Sequence, residues 1–142
     1  RLVVSHEDAE DILQETFINV YRFAGSFKGN SMIYTWIYRI ATNECLKMFR
    51  RNNNSGQKME ELTDKIVGKI PGHDTESGDD ILLKFQKAIL KLPEKQRVIF
   101  NLRYYDDLSY EEIGIILKTS VNALKTNYHY AQDKIKQYMI NS

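Results

Sequence analysis

Between residues 8 and 24 the apolar side chains fall at Ala9, Ile12, Leu13, Phe17, Val20, Tyr21 and Ala24. Steps of three and four put them on one face of a helix. Glu7, Asp8, Glu10, Asp11, Gln14 and Glu15 take the other side. Ser5 stands where a cap belongs, with Asp8 three residues on, and acids early in a helix suit its dipole. Gly25 ends the pattern, and the loop SFKGNS follows. A second helix is predicted over residues 32–51, capped by Asn30 or Ser31. Its expected inner face is Ile33, Trp36, Ile37, Ile40, Ala41, Leu46 and Phe49. Its expected outer face carries Tyr34, Tyr38, Arg39, Asn43, Lys47, Arg50 and Arg51.

NNNSG at 52–56 breaks the periodicity, and residues 53–80 read as a flexible linker with polar, glycine and acidic content. LTDKIVGKI within it could form a helical turn or two. The helical pattern resumes at Ile81, with Leu82, Phe85, Ala88, Ile89 and Leu92. Pro93 suits the first position of a further helix, which turns Val98, Ile99, Leu102 and Tyr105 inwards. Asp106 and Asp107 form a turn, and Ser109 with Glu112 has capping-box spacing. The next helix buries Ile113, Ile116 and Leu117, and Gly114 admits close approach. Lys118 and Thr119 make a tight turn at a place that usually favours glycine. Ser120 then caps a helix with Val121, Leu124, Tyr128, Ala131, Ile135 and Tyr138 or Met139 on one face. This is helix-turn-helix spacing. A helix of this kind fits the major groove and offers amide, hydroxyl and ammonium groups to base edges and phosphates.

No run of strand-like alternation competes with these patterns, so the fold class is all-α: two small helical domains, 1–52 and 81–142, joined by the linker. Hydrophobic residues at 42% and charged residues at 27% suit a soluble globular chain. The net charge of +1 announces no nucleic acid by itself. Its distribution is more telling. Basic and acidic side chains number 2 and 5 over residues 1–24, 6 and 1 over 25–58, 2 and 7 over 59–80, and 10 and 6 over 81–142. Alternating blocks imply separate partner surfaces, with DNA contacts in the second and fourth. Cys45 is the single cysteine and reads as a buried, inert thiol. No apolar run reaches membrane-span length, so no membrane insertion is expected and a cytoplasmic location follows. His6, His73 and His129 share no metal-ligand spacing with Cys45, and no glycine loop cradles phosphate, so neither an enzyme nor a cofactor is expected.

The stretch DAEDILQETFINVYRFAGSFKGNSMIYTWIYRIATNECLKMFRR, residues 8–51, resembles domain two of the bacterial extracytoplasmic-function sigma factors. LPEKQRVIFNLRYYDDLSYEEIGIILKTSVNALK resembles their domain four. The order and spacing of the two motifs match the family, which directs RNA polymerase to promoters. The resemblance implies that Asp11, Gln14, Glu15 and Asn19 bind the clamp coiled coil of core polymerase, with the flap as a second contact. It implies that Phe27, Lys28, Gly29, Asn30 and Ser31 capture a flipped base of the downstream promoter element. Tyr34, Tyr38, Arg39, Asn43 and Lys47 would then follow the single non-template strand. Aromatic faces stacking on unpaired bases and cations tracking the backbone suit that task. Ser120, Val121, Asn122, Lys125, Thr126 and Asn127 would read the upstream element as duplex. Asn127 and Tyr130 stand where the family often carries arginine. An anti-sigma factor is an expected partner. Only RLVVS stands where the family has a further long helix, and the chain starts at Arg1, so a preceding segment is expected. The competing class is a helix-turn-helix regulator that acts without core polymerase. It leaves DAEDILQETF and TWIYRIATN unexplained, as does a purely structural helical adaptor.

Overall fold

The computed structural model describes residues 2, 5–27, 33–54 and 78–141. Among the described residues every regular element is helical. α1 spans His6–Phe23 and runs into a 3-10 turn, Ala24–Ser26; α2 spans Ile33–Asn54. α3 covers Gly78–Leu90, and α4 covers Glu94–Phe100 and continues as a π turn, Asn101–Tyr105. α5 is Tyr110–Leu117 and α6 is Val121–Asn141. Residues 53–54 and 78–80, expected in the linker, are thus helical; residues 55–77 lie outside the described residues.

The local signals act as the side chains dictate. The Asp8 N–H donates to Ser5 Oγ at 3.0 Å, fixing the start of α1. Both bonds of the capping box at α5 are made: Glu112 N–H to Ser109 Oγ at 3.1 Å and Ser109 N–H to Glu112 Oε1 at 3.2 Å. α5 stops because Lys118 turns left-handed, at φ 52°. A Cβ on Gly114 would lie 2.9 Å from the Thr119 carbonyl, so the turn folds back onto the helix only over glycine.

α3, α4 and α6 enclose one core of Ala88, Ile89, Leu92, Phe100, Ala131 and Ile135. The Phe100 ring stacks between Tyr104 and Tyr128, with centroids at 5.1 and 5.7 Å. The other core is shared by both halves of the chain. Ile12, Cys45, Met48 and Phe49 from α1 and α2 pack with Val98, Ile99, Leu102, Leu108, Ile113, Ile116 and Leu124. α2 lies directly against α5.

Two expected inner faces are also corrected. On α1 the buried side chains are Ile12 and Thr16, while Leu13, Phe17 and Tyr21 point to solvent, Tyr21 with 90% of its surface exposed. On α2 Thr35, Thr42, Glu44, Cys45, Met48 and Phe49 are buried, and Ile33 and Ile37 are exposed. Apolar residues occur on several sides of each helix, and tertiary neighbours decide which side is covered. Cys45 is buried as expected, and desolvation pushes its thiol up to about 11.

Candidate nucleic-acid interface

α1 presents Asp11, Gln14 and Glu15 in the open, as expected. They form one wall of a cleft of about 770 Å³ whose other wall is Lys47, Arg50 and Arg51 of α2. Gln14 also continues, at helical steps of three, four and seven, into exposed Phe17, Ile18 and Tyr21. The sequence pattern assigned Phe17 and Tyr21 to the core, so it missed this stripe. The signal that could have found it is the excess of large apolar side chains over what one face of a helix can bury. Asn19 follows Glu15 by one turn on the same side of α1, and its Nδ2 donates to Glu44 Oε1 at 2.7 Å at the α1–α2 joint. Glu44 is buried at that joint and also accepts from Lys47 Nζ at 3.2 Å.

The α2 residues expected on one outer face divide between two. Arg39, Asn43 and Lys47 line a cleft of about 280 Å³ with Asn19, Phe23 and Trp36. Cations, an amide and two aromatic rings thus converge in one recess. Trp36 is half-buried, and the Phe27 ring lies 5.2 Å from it. Lys28, Gly29, Asn30 and Ser31 lie outside the described residues. Tyr34 and Tyr38 sit on the other side of α2, towards α5 and the π turn. The reason is the helical repeat: 34 and 38 are one turn apart, whereas 39, 43 and 47 fall at least a quarter of a turn away. Tyr34 donates its hydroxyl to Glu112 Oε2. Its hydroxyl pKa is raised, chiefly by that bond, and the same bond leads the causes that lower the Glu112 carboxyl. Tyr38 is half-buried against the shared core and lines one cavity with Asp106. Burial first, then that acid, raises its pKa.

At the start of α6, Ser120 Oγ accepts from the Ala123 N–H at 3.2 Å, so it caps the helix. Leu124, Ala131 and Ile135 are buried, which leaves Asn122, Lys125 and Thr126 outward. Their freedom differs. Thr126 Oγ1 donates to the Asn122 carbonyl at 3.0 Å, and Asn127 Nδ2 donates to the Ala123 carbonyl at 2.8 Å. Asn127 and Val121 are half-buried. Lys125 leans over the Tyr110 ring, 5.8 Å from its centroid, with its ammonium exposed. Asn122 and Lys125 are therefore the best-presented groups on this face. No cluster of metal-ligating side chains occurs among the described residues. None of the described helices is long and apolar enough to cross a membrane.

The family model for Sigma-70 region 2 matches residues 1–55, and that for Sigma-70, region 4 matches residues 82–132. The chain is 34% identical to the ECF RNA polymerase sigma factor SigW of Bacillus subtilis, across 98% of this chain and 79% of that one. It is 32% identical to the RNA polymerase sigma-H factor of Pseudomonas aeruginosa, across 95% of this chain and 75% of that one. Its fold is similar to that of the sigma factor RpoE of Bartonella quintana, solved in complex with the anti-sigma factor NepR. The TM-score is 0.73 at 22% identity, over 99% of this chain and 86% of that one.

Proposed function

Because the chain belongs to the extracytoplasmic-function sigma factors of bacterial RNA polymerase, we propose residue roles for its surfaces in promoter-directed initiation. The exposed side of α1 docks core polymerase. The open acidic and amide wall of Asp11, Gln14 and Glu15 on α1 carries this reading. The docking set is Asp11, Gln14, Glu15 and Asn19, and the clamp coiled coil is the polymerase element that fits it in this family.

The recess of Arg39, Asn43, Lys47 and Trp36 takes the single non-template strand, with Phe27 and the loop residues Lys28, Gly29, Asn30 and Ser31 at the flipped base. Tyr34 and Tyr38 extend that track once they are free. Asn122 reads a base edge of the upstream element, and Lys125 holds a phosphate. The chemistry of synthesis belongs to polymerase, so the chain acts as a specificity factor in the cytoplasm, where polymerase and promoter are. An anti-sigma protein is its regulator, by likeness to the Bartonella quintana protein, which was solved with one.

A gel shift with promoter DNA, with and without core polymerase, tests the reading. A shift that needs polymerase supports it. A shift of equal strength without polymerase would make the chain a free-standing helix-turn-helix regulator. Replacing Asp11 and Glu15 with lysine should abolish co-purification with core enzyme while helicity stays; undiminished co-purification removes α1 as the docking element.

A further inference from the structure

The outward face of α6 continues past Asn122 and Lys125. Steps of four, three and four from Asn122 lead through Thr126 to His129 and on to Asp133, all exposed, with exposed Tyr130 beside them. His129 Nε2 stands 3.2 Å from Asp133 Oδ2, with 70% and 57% of the two side chains open to solvent. We propose that His129, braced by Asp133, is a second base reader, which selects cytosine in the upstream element through its N4 amino group. The proposal rests on the reading of α6 as the duplex reader, and adds a position and a base to it.

The donors and acceptors of the pair set the base. A carboxylate only accepts, so the Nε2 that meets it carries the hydrogen. In the neutral imidazole Nδ1 is then an acceptor. The open atoms of the pair, Nδ1 and the second carboxylate oxygen, therefore both accept. In the major groove adenine and cytosine offer amines, and a carboxylate is the usual partner of cytosine N4. Guanine and thymine present acceptors there, which this pair leaves unmatched. From Thr126 to Asp133 no lysine or arginine intervenes to reverse that preference. Asp133 also carries a cost beside DNA, because its charge repels phosphate. An amine within reach of its carboxylate offsets that cost, and a base without one does not.

The spacing fixes where that base lies. Seven residues at about 1.5 Å each put His129 about 10 Å beyond Asn122 along the helix axis. For a helix lying along the groove, that is about three base pairs at about 3.4 Å each. Helices in the groove reach base edges over two turns. Thr126, between the two, spends its hydroxyl on the Asn122 carbonyl. The face therefore presents two separate reading points, Asn122 and the His129–Asp133 pair. An exposed pair one turn apart also steadies a helix slightly, but that effect is blind to DNA sequence.

The test uses the full-length chain with core polymerase, on promoters in which each base pair of the upstream element is replaced in turn by the other three. Initiation by the wild-type protein should fall about tenfold when one cytosine, about three base pairs from the Asn122-dependent position, becomes any other base. A cytosine analogue lacking the 4-amino group should give the same fall there. His129→Ala and Asp133→Ala should each erase that preference and no other, whereas Asn122→Ala erases only its own. A pair that only steadies α6 predicts a lowered thermal midpoint with every base preference intact, and that result overturns the proposal. So does a preference for another base at the His129-dependent position, or an effect of His129→Ala without one of Asp133→Ala. If Asn122→Ala and Lys125→Ala are silent as well, the reading of α6 has failed with it; if they act and the His129 and Asp133 variants do not, only the second reader is lost.

Discussion

The Arg97 guanidinium lies over the Phe49 ring, 4.7 Å from its centroid, and ties α4 in the second half to the end of α2 in the first. Both side chains are buried, Phe49 with 4% and Arg97 with 5% of its surface exposed. Phe49→Ala removes the ring from the shared core and uncovers a cation. It should cost about 3–5 kcal/mol, read by urea unfolding. If the halves had separate cores, Phe49→Ala would leave the unfolding of the second half unchanged.

The turn between α5 and α6 makes opposite predictions for neighbouring positions. Gly114→Ala sets a Cβ 2.9 Å from the Thr119 carbonyl, a backbone atom that cannot swing away. The loss should be about 1–3 kcal/mol. Lys118→Gly relieves a left-handed residue at φ 52° and should gain about 1 kcal/mol. Thermal midpoints of the two variants should move in opposite directions.

The contact between α2 and the second half of the chain should respond to pH at both ends. The Glu112 carboxyl is held below its ordinary value of 4.5, first by the Tyr34 hydrogen bond. Its contribution is full above that value and fades as pH falls through the lowered one. The Tyr38 hydroxyl is raised above 10.0 by burial and by Asp106. Its contribution is full below 10.0 and fades as pH rises through the raised value. In urea unfolding followed across pH, Glu112→Gln should flatten the acid limb of stability, and Tyr38→Phe should flatten the alkaline limb. Limbs unchanged by these substitutions would assign the pH response to other groups.

On α6, Asn122→Ala should cost about 1–3 kcal/mol on the preferred upstream element and little on altered ones. Lys125→Ala should weaken all sites alike and lower the salt slope by about 1. Asn127→Ala should matter less than Asn122→Ala, because its amide already donates to the Ala123 carbonyl. Quantitative footprinting at several salt concentrations separates the three.

Much of this molecule is legible in local spacing. Ser109 three residues before Glu112, Ser5 before Asp8, and the Leu124–Ala131–Ile135 stripe each need only a few neighbouring residues, and each forms as read. Faces decided by distant partners are not legible in that way. α1 carries more apolar residues than α2 can cover, so periodicity alone cannot say that Ile12 is buried and Phe17 is not. Tyr38 follows Tyr34 by one turn, which reveals their shared side but not that α5 and the π turn occupy it. Glu44 is buried because Asn19 and Lys47 supply its partners, one of them 25 residues away. The motif resemblance named the interfaces; the geometry adds that Asn19 is bonded to Glu44.

Transcription in vitro from a promoter library, with core polymerase and the full-length protein, tests the central claim most directly. Wild-type protein should give transcripts from a defined set of start sites that core enzyme alone does not use. Asp11→Lys with Glu15→Lys should reduce them at least tenfold, about 1.4 kcal/mol of docking free energy. Start sites indifferent to the protein, or full transcription from the α1 variants, would contradict the account.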